Sequence, residues 1–168
     1  MKREVVFECK SLSPDGTFVG LGAVYNNVDL GNDMILPGAF TKTLAEKSGR
    51  VPLLMGHDSK MPIGVAELTD SPQGLMVAGK LVLEADGSRS AYALLKAGVI
   101  KGLSIGYDTI KSTVDNGVRK LSEIKLWEIS LTAFPMNERA TITAVKSEAD
   151  QITQFRRLLQ ECKGVFAK

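Results

Sequence analysis

Apolar and polar residues alternate in short runs over the first 145 positions, and Gly, Pro, Asn and Asp separate the runs. Alternation of period two puts successive side chains on opposite faces of a strand, so the pattern predicts many short strands, as in a barrel or a sandwich. REVVFECKS and TFVGLGAVY flank the turn SPDG and predict a first hairpin. Residues 26–38, NNVDLGNDMILPG, concentrate Asn, Asp and Gly and predict a long loop. AFTKTLAEK, from Ala39 to Lys47, takes helical spacing just after Pro37. VPLLMGH and PIGVAELTD return to strand character, and SPQG turns the chain into GLMVAGKLVLEA.

A second helix is predicted from Ser88 to Ala97, ending at Gly98, where a left-handed cap is cheap. GLSIGYDTIKS and VRKLSEIKL are separated by VDNG, and Asn-Gly between alternating segments is the strongest short hairpin signal in the chain. WEISLTAF and ATITAVK complete the strand-like portion. Residues 147–168 change period: Ser147 and Asp150 have capping-box spacing, and Ile152, Phe155, Leu158, Leu159 and Cys162 share one helical face. The division expected is therefore a β-rich domain over 1–146 and an amphipathic helical tail over 147–168, packed on the domain or docked on a partner or on a second copy in a homo-oligomer.

At 168 residues the chain is the size of one domain. A net charge of +2 with dispersed basic residues gives no cluster for nucleic acid, and no apolar run approaches the ~20 residues of a membrane helix. MKREVVFECK lacks the apolar core of a secretion signal, so a cytoplasmic location is expected. Cys9 and Cys162 read as free thiols at opposite ends of the chain. With one histidine and no cysteine pair, neither a metal nor another cofactor is expected. Asp29 and Asp33 lie in VDLGNDM, which lacks the spacing of a cation-binding loop, and read as turn residues.

Residues 102–106, GLSIG, fit the G-x-S-x-G pattern that holds a nucleophilic serine on a strand-to-helix turn. Here the sequence after Gly106 runs into a hairpin rather than a helix, which puts Ser104 on or beside a strand. A serine hydroxyl needs a base, and His57 is the only histidine, so any Ser–His mechanism uses that pair. His57 precedes Ser104, which excludes the α/β-hydrolase order of serine, acid, histidine. Asp58, adjacent to His57, would face the opposite side of a strand. Glu128 stands out because it interrupts the apolar LWEISLTAF, where an unpartnered carboxylate is expensive and an imidazole N–H would answer the cost. Glu123 and Asp108 remain open as alternatives.

Four segments, DGTFVGLGAVYNNVDLGNDMILPGAF, VPLLMGHDSKMPIGVAEL, GLSIGY and WEISLTAFPMNERATI, resemble in order and spacing the prohead (capsid maturation) proteases of tailed phages, which are distantly similar to the herpesvirus assemblins. The resemblance covers most of positions 15–145. It implies a mainly β, α+β fold: a closed antiparallel β-barrel with a few peripheral helices, bearing a serine protease of chain order His, Ser, acid. Carried over, His57 of GHD is the general base, Ser104 of GLSIG the nucleophile and Glu128 of WEIS the third member. Assemblins use a second histidine in that third place, which this chain lacks. For the oxyanion, the resemblance leaves backbone amides between Gly102 and Ile105, or Arg139 in PMNERA. The implied substrates are the scaffold segment of the major capsid protein and the protease itself, cut inside the procapsid in the host cytoplasm, with the tail as a targeting or self-cleaved segment. A non-enzymatic scaffold or adaptor barrel is the competing expectation, and a small-molecule esterase a more distant one.

Overall fold

The computed structural model describes residues 12–143. Nine elements follow in the order β1 (Thr17–Val24), β2 (Asp33–Ile35), α1 (Thr41–Glu46), β3 (Arg50–Met55), β4 (Asp58–Ser71), β5 (Gly74–Leu81), α2 (Asp86–Lys96), β6 (Gly102–Asp115) and β7 (Val118–Thr132). The partner strand expected before SPDG, the tail 147–168 and both cysteines lie outside the described residues. Both helices fall where helical spacing predicted them, and Gly98 after α2 has φ +68°. In the β6–β7 turn Asn116 and Gly117 have φ +49° and +80°, the left-handed pair that the Asn-Gly signal calls for.

All strands belong to one sheet of order β1-β5-β4-β3-β7-β2, with β6 paired to β7. The closed, fully antiparallel barrel expected above is not what forms: the sheet is an open half-barrel. Two of its pairings, β2 with β7 and β3 with β7, are parallel. Its edges β1 and β6 share no ladder. Residues 140–143 lie between them and take up backbone groups that closure would have used: Leu21 N donates to Thr141 O at 3.0 Å, and Leu103 N to Ala140 O at 2.9 Å. That segment makes only single bridges, Gly20 to Ile142 and Gly102 to Thr141. Alternation along each strand records which face is buried but not whether the last edge meets the first, so it carried no sign of the gap.

β7 is the spine. Leu121, Ile124 and Leu126 face inward along its first part, a bulge at Ser122 absorbing the odd spacing between the first two, and are almost fully buried. From Glu128 to Leu131 the alternation stops, and four consecutive residues are buried. There β7 has β3 on one side and β6 on the other. Ile129 and Leu131 join the core with Phe18, Leu53, Val77 and Leu103. Glu128 and Ser130 face the other way and are buried too. α2 lies over β4, where the buried Ser88 hydroxyl donates to Ile63 O at 2.6 Å.

The loop predicted over 26–38 contains the three-residue strand β2, too short for alternation to register. Asp29 is the turn residue expected, its Oδ1 accepting from Gly31 N and Asp33 N at 2.8 and 2.9 Å. Asp33 is not a turn residue. It is buried and accepts from Arg119 Nε at 2.7 Å, Arg119 Nη2 at 2.5 Å and Tyr107 Oη at 3.0 Å, which ties β2 to both strands of the β6–β7 hairpin. The Arg119 hydrogen bonds hold the Asp33 carboxyl below its usual range. Burial, with Asp33 nearby, pushes Tyr107 up to about 12.

A carboxylate with a depressed folded-state pKa contributes stability that is complete above its unfolded value, near ~3.9, and is lost as pH falls through the folded value. Asp33→Ala should therefore cost about 1–3 kcal/mol at neutral pH. The gap from the parent chain should stay constant down to about pH 5 and shrink in stronger acid. Urea denaturation of both chains across that range checks it; a gap that widens in acid contradicts the ion-pair account.

Candidate active site

The register that pairs Met55 with Asp58 leaves Gly56 and His57 as the two residues of the β3–β4 turn. Both have positive φ, +59° and +63°, the signature of a type I′ turn. The strand expected over 51–57 therefore ends at Met55, and His57 sits at the apex of a tight turn. A non-glycine residue there costs on the order of 1–3 kcal/mol and persists only when surrounding contacts hold it. Two such contacts come from β7: Ser130 Oγ accepts from His57 N at 2.9 Å, and Leu131 O accepts from Gly56 N at 3.0 Å.

Ser104 lies in β6 directly opposite Ser130, and Gly106 lies opposite Glu128. Residues two apart on a strand share a face, so Ser104, Glu128 and Ser130 all rise on the side the His57 turn covers. The imidazole bridges them. His57 Nδ1 is 2.6 Å from Glu128 Oε1, and Nε2 is 3.0 Å from Ser104 Oγ. The second carboxylate oxygen, Oε2, accepts from Ser130 Oγ at 2.8 Å. An ionised carboxylate can only accept, so the Nδ1 hydrogen bond requires the proton on Nδ1 and leaves the Nε2 lone pair toward the serine hydroxyl. Glu128 is nearly buried while the histidine side chain is 46% exposed, so the series runs from the sheet interior to solvent.

The GLSIG pattern has a different physical basis from a nucleophile elbow. Ser104 is within a strand. A Cβ at Gly102 would stand 2.7 Å from Pro135 Cδ and 2.8 Å from Thr132 O. A Cβ at Gly106 would stand 2.9 Å from Glu128 Cγ and Cδ, and closer still to Oε1. The first glycine lets Pro135 pack on the strand, and the second leaves the space through which Glu128 leans toward the histidine.

The other expected participants lie elsewhere. Glu123 pairs with Lys111 at 2.6 Å and Lys42 at 3.4 Å, and the Lys111 hydrogen bond holds its carboxyl below the usual range. Asp108 is exposed on the outer part of β6, in register with Lys125. Asp58 opens β4 and accepts from Lys60 N at 2.8 Å. Ser104 and His57 face a cavity of about 210 Å³ lined also by Gly22, Ile35, Ile105, Tyr107, Met136 and Asn137. Ile105 therefore borders the site, whereas Arg139 is exposed and does not line the cavity. Ser130 and Gly106 are absent from the sequence-based candidates. Their signal was the i, i+2 spacing from Glu128 and the register with β6, and that register was not available from the chain alone.

A hydroxyl, an imidazole and a carboxylate in hydrogen-bonded series are the constellation of serine hydrolases, which recurs on unrelated folds and in several chain orders. The chain belongs to the Caudovirus prohead serine protease family, whose sequence profile matches residues 6–155. It is 36% identical over 137 residues to the prohead protease of Enterobacteria phage HK97, covering 79% of this chain and 61% of that protein. To the prohead protease of Escherichia phage T5 it is 28% identical over 109 residues, covering 62% and 51%. The chain thus spans between about half and three fifths of these relatives. In fold it is similar to the capsid assembly protease of bacteriophage T4, with TM-score 0.54 at 14% identity over 76% of this chain and 90% of that one. Varicella-zoster virus protease gives TM-score 0.53 at 11% identity over 86% and 76%.

Gly106→Ala should destabilise the fold by about 1–3 kcal/mol, since the added Cβ displaces the buried Glu128 side chain. It should also break the Glu128–His57 contact. Proton NMR at alkaline pH, where an imidazole is neutral, should show the strongly deshielded Nδ1 proton of the parent chain and lose it in the variant. An unchanged resonance contradicts this account of the second glycine.

Proposed function

We propose that the chain is a serine endopeptidase of phage capsid maturation, with Ser104 as nucleophile, His57 as general base and Glu128 as the orienting acid. The observation that carries this reading is the unbroken series Glu128 Oε1, His57 Nδ1, His57 Nε2, Ser104 Oγ, with spacings of 2.6 and 3.0 Å across the imidazole. Ser104 Oγ attacks the scissile carbonyl carbon while its proton passes to Nε2. The tetrahedral intermediate collapses, the C–N bond breaks, and the amine leaves with that proton. Water, deprotonated by the same nitrogen, then releases the acyl group. Glu128 stays ionised and stabilises the imidazolium that forms at each transfer.

The Ile105 backbone amide, which borders the cavity beside the hydroxyl, is the proposed oxyanion donor. Arg139, exposed and off the cavity lining, is the weaker candidate. The relatives' names support the substrate class: two are prohead proteases, and a 107-residue match at 34% identity falls within the capsid polyprotein of Pseudomonas phage PAJU2. The proposed substrates are therefore the scaffold segment of the major capsid protein and the chain itself, cut inside the procapsid in the host cytoplasm.

Ser104→Ala should remain folded and process capsid precursor about 10⁴- to 10⁶-fold more slowly, the range seen when a nucleophile is removed from a triad. Gel analysis of coexpressed precursor reads it, and normal processing by the variant would refute the role. In the parent chain, cleavage should fall in acid, since protonating the imidazole removes the lone pair that takes the serine proton. A rate unchanged in acid would contradict His57 as base.

A further inference from the structure

Ser130 occupies the middle of the site without reaching the cavity. On β7 it is paired with Leu54 of β3 on one side and with Ser104 of β6 on the other, and it is fully buried. A serine hydroxyl has one proton to donate and two lone pairs to offer. The proton goes to Glu128 Oε2 at 2.8 Å, and a lone pair takes the His57 amide at 2.9 Å. One oxygen atom therefore holds both partners of the 2.6 Å contact between His57 and Glu128.

We infer that Ser130 is a positioning residue: its hydroxyl orients the Glu128 carboxylate and clamps the His57 turn, and so aims the imidazole at Ser104. The inference rests on the role proposed above for Ser104. With Oε2 engaged by Ser130, the carboxylate plane is set and Oε1 points at Nδ1. With the His57 amide engaged, a residue in an unfavourable left-handed conformation is held by a side chain of the strand that carries its carboxylate partner. An alanine at 130 would remove both restraints at once while leaving all three reacting groups in the chain. Ser130 touches no residue of substrate, because it is enclosed, so its loss should act on the chemical step rather than on binding.

The test uses the full chain and an alkyl fluorophosphonate, which reports on the nucleophile without knowledge of the natural substrate. Ser130→Ala, verified as folded by circular dichroism, should phosphonylate Ser104 with a limiting rate about 10- to 100-fold lower, the scale of losing alignment by roughly 1 Å. The half-saturating probe concentration should not move. A folded variant labelled at the parent rate, or one altered only in half-saturation, overturns the inference. If the alanine variant does not fold, Ser130→Cys, close in volume and a weaker donor, is read by the same two outcomes, and failure of both to fold assigns Ser130 to stability alone and overturns the proposal. The parent chain run alongside separates the two layers: no label on Ser104 there sinks the nucleophile itself, whereas a labelled parent with an indifferent Ser130 variant sinks only the positioning role.

Discussion

Removing a carboxylate from water costs several kcal/mol unless its oxygens find donors that match them. Glu128 is 8% exposed in a stretch of β7 where four consecutive residues are buried, so its two oxygens set the terms for everything around it. Both are answered, one by the imidazole and one by Ser130. Meeting that requirement fixes three other features. Gly106 must be bare so that the side chain can lean across β6. The β3–β4 turn must be a tight left-handed one so that His57 arrives over β7. Ser130 must share the face of Glu128, which its spacing of two along the strand ensures.

The open sheet matters to the same site. The cavity beside Ser104 is lined by Gly22 and Ala23 of β1, by Ser104 and Ile105 of β6, and by residues of the 29–35 and 136–137 segments. These are the two strands between which no ladder forms. Had β1 and β6 paired along their length, the barrel would have closed over the ground that the cavity occupies. Residues 140–143 satisfy part of both edges instead, and the Asp33–Arg119–Tyr107 cluster ties the short strand β2 to β7 and β6 on the far side of the cavity. Antiparallel ladders carry most of the sheet, while the parallel contacts of β2 and β3 with β7 bring the loop and the histidine turn to one spine.

Much of this was visible in the chain before its coordinates. Alternation located the strands, Asn116-Gly117 located a hairpin, and the single histidine reduced the search for a base to one residue. Glu128 could be singled out because a charge inside LWEISLTAF needs a partner. The features that escaped all depend on register or closure. Nothing local distinguishes a sheet whose edges meet from one whose edges are kept apart by a short segment. β2 is three residues long, so Asp33 looked like part of its loop, whereas its burial comes from Arg119 and Tyr107, more than seventy positions away. Gly106 and Ser130 look ordinary until β6 is laid against β7, when one proves to be a space and the other a clamp.

On the proposed reading, a serine hydroxyl is made reactive by an imidazole that a buried carboxylate orients. A crystal structure of the full chain after reaction with a fluorophosphonate addresses it most directly. The phosphorus is expected on Ser104 Oγ, with His57 Nε2 beside the adduct and Nδ1 still on Glu128. An adduct on a different side chain, or an unmodified Ser104 with the imidazole turned away from it, would contradict the central claim.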